Sequence, residues 1–298
     1  MRRSFGLVVL GAAALLASPI SGKSKITAPE ILPADFLAAP QSRAVDVILA
    51  QSGVTAGYVP SELKGISSYG GLSGFIAEDM QNSSRARKAD KLSDSINAQV
   101  GDFDVGALTR KNAQEAISGV GWLAGAPISF SKDATLVGKS AFLDGAAVDQ
   151  AVFIEYTYDL AADFSALRLV ETVSVARRTT PGKFKPVDRL KPENLVYAQS
   201  IVVTVQIPGT QNHYKPDNAA LWSANGGDRL RRALTQAFAT AARLTPKSLE
   251  QTYRSAYDLS SATYPAYPLD GETARVIEEN GYDRVLWLRR FVAVEFLH

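Results

Sequence analysis

Three segments in the middle of the chain alternate apolar residues with a period of two, and they constrain the fold more than anything else in the sequence. Gln150 to Asp159 puts Val152, Ile154, Tyr156 and Tyr158 on one side. Ala166 to Arg177 aligns Leu167, Leu169, Val173 and Val175, and Asn194 to Ile207 aligns Tyr197, Ile201, Val203, Val205 and Ile207. Alternation of this length predicts half-buried antiparallel strands. The links between them are short enough for consecutive strands to be neighbours. Asn280-Gly281, flanked by Ala274 to Glu279 and Tyr282 to Trp287, predicts a further hairpin.

Helical spacing surrounds this block. Arg43 to Gln51 places Ala44, Val47 and Ile48 as a short helix ended by Gly53. Ser84 to Val100 aligns Ala89, Leu92, Ile96 and Val100, and Asp104 to Gly119 turns Leu108, Ala113, Ala116 and Ile117 inward. Asp228 to Leu244 carries a wide stripe of Leu230, Ala233, Leu234, Ala237, Phe238 and Ala241. Thr245-Pro246 reads as a cap followed by a first-turn proline, opening another helix that runs to about Tyr257. Strands and helices thus come in blocks. The fold expected is α+β, an antiparallel β-meander sheet with amphipathic helices packed on one face.

The N-terminus carries an address. Arg2 and Arg3 precede the uncharged apolar run Phe5 to Leu16, and the small residues Ala17, Ser18, Ser21 and Gly22 follow with Pro19 among them. That order is a signal peptide, and the run is shorter than the roughly 20 residues a spanning helix needs. Arg2-Arg3-Ser4-Phe5 also resembles a twin-arginine core, although general export suits the sequence better. The expected organisation is a cleaved signal over 1–22, an extended leader with Pro29, Pro33 and Pro40 over 23–42, and an α+β body over 43–298 with a candidate division near 125–148. The expected location is outside the cytoplasm of a bacterium, periplasmic or secreted, with no transmembrane segment in the mature chain.

Composition narrows the chemistry. Removing Arg2 and Arg3 from the 32 basic residues leaves as many as the 30 acidic ones, which argues against nucleic acid as partner. There is no cysteine, and the histidines are His213 and His298, so a transition metal finds almost no ligands and no cofactor is expected. Asp102-Phe103-Asp104 lacks the further oxygens of a calcium loop.

The short motifs are weak. Asp133 to Ser140 ends in Gly138-Lys139-Ser140 like a phosphate loop, but Asp133 stands where the first glycine belongs. Ser129-Phe-Ser-Lys132 has the serine–lysine spacing of penicillin-interacting enzymes without their other boxes, and Ser73 fails the nucleophile-elbow pattern at Phe75.

Two features stand out. Glu171 interrupts the apolar row of the second strand, opposite about Ile154 and Ile201, and a carboxylate there would be desolvated unless partnered. It is a candidate buried polar site. Arg177, Arg178, Lys183, Lys185, Arg189 and Lys191 cluster in one loop opposed only by Asp188, a candidate surface for an anionic envelope component or another envelope protein. The bland reading of that cluster is a solvated hairpin tip. These observations favour an exported, non-catalytic binding or envelope-accessory protein. A carboxylate-dependent hydrolase using Glu171 is the competing class, and a structural accessory subunit is the third.

Overall fold

The computed structural model describes residues 31–38, 42–56, 90–178, 195–208, 215–261, 263–269 and 272–297. The expected signal segment, the first six residues of the predicted helix over 84–100, and residues 179–194 lie outside them. The fold is α+β, built on one large mixed sheet.

In chain order the elements are α1 (Ala34–Ala38), β1 (Arg43–Ile48), β2 (Thr55–Ala56), α2 (90–99), α3 (Val105–Ser118), β3 (Ile128–Ser131) and α4 (Leu136–Gly145). There follow β4 (Gln150–Leu160), β5 (Ala166–Arg177), β6 (Leu195–Gln206), α5 (Lys215–Leu249), α6 (Tyr253–Leu259), β7 (Ala266–Leu269), β8 (Glu272–Asn280), β9 (Asp283–Trp287) and β10 (Phe291–Phe296). The sheet order is β3-β1-β4-β5-β6-β10-β9-β8-β7, with β2 paired to β4.

The alternating block is realised as read. β4, β5 and β6 are consecutive antiparallel neighbours, and their apolar rows enter the main core. Glu171 faces Ile201 across β6 as expected, and faces Tyr156 rather than Ile154 across β4. That two-residue slip leaves every side chain on its expected face. The meander does not extend to the whole sheet, because β1 is parallel to both β3 and β4, and β10 is parallel to β6.

The expected helix over 43–51 is instead β1. Its side chains from Ala44 to Ile48 are all buried, Val45 and Val47 in the main core and Ala44 and Ile48 in a second cluster. A strand buried on both faces loses its alternation, and Ala44, Val47 and Ile48 then imitate helical spacing. The second cluster also corrects the one-sided arrangement of helices. Leu143 of α4 packs there with Ala151 and Phe153 of β4, on the face opposite α5.

Helix α5 lays Leu230, Ala233, Leu234, Ala237, Phe238 and Ala241 on β5 and β6, the stripe its spacing predicted. It does not restart at Thr245. The Thr245 hydroxyl lies 2.8 Å from the Ala241 carbonyl, and Leu244 and Leu249 are both sealed in the core, so the helix carries on to Leu249. Thr252 then caps α6 through a reciprocal bond with Ser255.

Earlier, α5 breaks at Ala224 to Gly227, where Asn225, Gly226 and Gly227 take φ of 53°, 65° and 78°. The short leading turn is held by Trp222, whose Nε1 donates to Phe164 O at 2.7 Å. A Cβ on Gly227 would lie 2.4 Å from Val100 Cγ1. Gly227→Ala is therefore expected to cost about 2 kcal/mol or more, from left-handed strain and the clash together. Chemical denaturation of the variant measures it.

Residues 31–38, expected in an extended leader, dock on the body through Leu32 and Phe36. Phe36 meets Trp122 edge-on at 5.8 Å, and the Arg43 guanidinium lies 5.2 Å from the Trp122 ring. Arg43 also donates to Phe36 O, Trp122 O and Gln150 Oε1. The Asn280-Gly281 signal found the β8–β9 hairpin, with Asn280 paired to Asp283 and Gly281 at φ 64° in the turn.

Candidate functional site

Glu171 lies beneath α5 and is 0 % exposed. The Thr245 hydroxyl sits 2.5 Å from its Oε1 and 2.8 Å from the Ala241 carbonyl. One hydroxyl has a single proton, so a protonated Glu171 that donates to Thr245 satisfies both distances at once. Burial pushes the carboxyl up to about 7, against the opposing pull of Thr245 and Tyr156. Further along the same layer, Tyr197 Oη is 2.6 Å from Ser248 Oγ, and Gln199 Nε2 donates to Arg289 O at 3.1 Å. Burial raises the Tyr197 hydroxyl as well. This polar layer between sheet and helix ties α5 to the strands. With Glu171 sealed, its own carboxylate is not open to a substrate.

The basic cluster divides. Arg177 is exposed at the end of β5. Arg178 turns inward and is 4 % exposed: its Nε donates to Val148 O at 2.9 Å, an Nη donates to Leu143 O at 2.6 Å, and Nη1 lies 2.9 Å from Asp144 Oδ1. It clamps the C-terminal end of α4 onto the sheet, where a cation also complements the helix dipole. Arg178 is thus buried beside α4 rather than displayed on the surface. Lys183, Lys185, Arg189 and Lys191 lie outside the described residues.

The phosphate-loop imitation is occupied by the protein itself. Thr135 caps α4 through Gly138 N at 3.1 Å, and the Asp133 carboxylate, bonded to Thr135 N and Oγ1, covers the space over Gly138. Lys139 pairs with Glu155 on β4, next to Asp46, whose carboxyl is raised by burial and accepts from Ser131 at 2.8 Å. Ser129 sits on β3 and Lys132 just past its end, and a three-residue spacing on an extended chain sends their side chains to opposite faces. The serine–lysine pair is not a dyad.

A site that sequence reasoning missed lies at the carboxyl ends of the parallel strands. A cleft of about 440 Å³ is walled by Leu49, Gln51 and Ser52 after β1, Lys132 after β3, Tyr158 on β4, and residues 101–106 with Arg110 at the start of α3. Open sheets with parallel strands place ligands at such ends, and the volume is that of a small-molecule site. Both carboxylates in the wall are committed. Asp104 Oδ1 caps α3 through Ala107 N at 2.8 Å, and Asp102 is bonded to Arg231 at 2.5 Å, which lowers its pKa. Arg110 and Lys132 have no ion pair among the described residues, and the Arg110 guanidinium rests 5.9 Å from the Phe130 ring. The wall comes from four distant stretches, none of which forms a local motif.

No protein-family model matches the chain, and no curated protein matches it in sequence. No helix among the described residues is long and apolar enough to cross a membrane.

Proposed function

We propose that this is an exported, non-catalytic protein of the bacterial periplasm that holds a small molecule in the cleft between the ends of β1 and β3 and the start of α3. The observation that carries the proposal is the cleft itself: about 440 Å³, walled by committed carboxylates and uncommitted cations. Its wall contains no histidine, and its carboxylates have structural duties, so recognition fits it better than turnover. An anionic envelope component as partner fits the same site, and it no longer requires Arg178.

Soaking or titrating a set of neutral and charged fragments tests the reading. Occupancy of the cleft, lost when Ser52→Trp fills its mouth, supports binding, whereas a cleft left empty by every fragment contradicts it. The exported location has its own test. The mature N-terminus is expected between Ser18 and Lys23, after the apolar run, and mass spectrometry of the secreted chain reads it. An intact Met1 on exported protein contradicts that location.

A further inference from the structure

We infer that the last turn of α5 is a pH-sensitive latch: with its proton in place Glu171 fastens the joint at Thr245 and Pro246 to the sheet, and without it that turn opens ahead of the rest of the fold. The inference goes beyond the binding reading and does not depend on it. The joint is the weak point of α5. Pro246 has no N–H, so the Ala242 carbonyl lacks its helical donor. One position earlier, the Thr245 hydroxyl lies 2.8 Å from the Ala241 carbonyl and 2.5 Å from Glu171 Oε1. That hydroxyl has one proton for two oxygens, so it serves the helix only while Glu171 supplies a proton of its own. An ionised Glu171 draws the hydroxyl to itself and releases Ala241.

No cation among the described residues compensates that charge. Tyr156 of β4, directly opposite, and Tyr197 of β6 are the titratable groups that face Glu171, and burial raises both hydroxyls, so they stay neutral. Arg243 and Lys247 of α5 are half-exposed and paired instead with Glu278 of β8. Against its partial burial, hydrogen bonds from Lys247 and Arg243 keep Glu278 below the usual carboxylate range, so this outer tie stays charged while Glu171 titrates. Beyond the joint, the last turn is held by Leu249 in the core and by the 2.6 Å bond between Ser248 Oγ and Tyr197 Oη. The first part of α5 lies on β5 and β6 through its whole stripe from Leu230 to Ala241, which keeps the opening local. Burial holds the Glu171 carboxyl up at about 7, against the pull of Thr245 and Tyr156, and the opened turn returns it to its ordinary 4.5. The latch is therefore fully fastened below the ordinary value and is lost as pH rises to about 7.

The experiment follows backbone amide hydrogen exchange of the full chain between pH 5 and 9, with each rate corrected for the intrinsic rate of its amide. The opening constant of residues 247–251 is expected to rise roughly 40-fold between pH 5 and 7 and to level off above about pH 8, as one linked proton dictates. At pH 8 these amides are expected to exchange at least about tenfold faster than those of Leu230 to Phe238. Urea below its denaturing range should accelerate the Leu230 to Phe238 amides and leave residues 247–251 unchanged, because a local opening exposes little surface. In Glu171→Gln, which keeps both histidines, His213 and His298, the opening constant of residues 247–251 is expected to stay flat with pH. Thr245→Val is expected to raise their opening at pH 5 about tenfold, the loss of one hydrogen bond, and to retain the rise with pH because the carboxyl stays buried. A flat profile in the wild type, a wild-type rise in Glu171→Gln, or unchanged opening at pH 5 in Thr245→Val would each overturn the inference. So would equal rates and equal urea dependence in both parts of α5, which would make the opening global.

Discussion

Glu171→Gln is expected to stabilise the protein by about 3 kcal/mol at about pH 8 and to have little effect near pH 4. The native carboxyl titrates at about 7, above its ordinary value of 4.5, because burial beneath α5 opposes the charge. A folded-state pKa above the unfolded one means that the folded chain holds the proton more tightly. Glu171 therefore contributes its full share of stability below the unfolded value. That share is lost as pH rises through the interval up to about 7, reaching about 3 kcal/mol at 1.36 kcal/mol per unit. The glutamine amide keeps a donor to the Thr245 hydroxyl and cannot ionise, so the wild-type and variant stability curves should converge in acid and separate in base. Urea denaturation at several pH values gives both curves. Parallel curves would place Glu171 outside the core and undo the facing of β5.

Arg178→Ala is expected to cost on the order of 3 to 5 kcal/mol, the range for breaking a buried, hydrogen-bonded ion pair. The side chain holds the carbonyls of Leu143 and Val148 together with Asp144, and truncation strands all three at the end of α4. Arg177→Ala, one residue earlier on the exposed side, should change stability by less than about 0.5 kcal/mol. Thermal or chemical unfolding of the two variants separates a structural clamp from a solvated loop cation. Equal, small losses would return Arg178 to the surface cluster.

The contrast between these neighbours shows where sequence was informative. Period-two alternation located β4, β5 and β6 because each packs one face against α5 while part of the other face stays accessible. The same reasoning found Glu171, since a carboxylate in an apolar row is visible in one dimension. β1 was misread because burial on both faces erased the alternation, leaving Ala44, Val47 and Ile48 at helical spacing. β10 gave no signal either. The link before it, Leu288 to Arg290, turns through Arg289 at φ 54° with neither glycine nor asparagine to mark it.

Side-chain direction was the other gap. Six cations within one loop looked equivalent, and only the contacts of Arg178 with α4 set it apart. The cleft was invisible for a topological reason. Parallel pairing of β1 with β3 and β4 brings Gln51, Lys132 and Tyr158 together with the start of α3, across more than a hundred residues of sequence. No spacing rule connects them, because the crossover between β1 and β4 decides which loops meet.

The central claim is that this cleft holds a small molecule in the envelope. The most direct measurement isolates the mature wild-type protein and the Ser52→Trp variant from their own envelope under native conditions and analyses each by mass spectrometry after denaturation. A small molecule released from the wild type in near-stoichiometric amount, and absent from the variant whose cleft is filled, is the predicted result. Wild-type protein that releases nothing, or a variant that releases the same molecule in the same amount, would contradict the account.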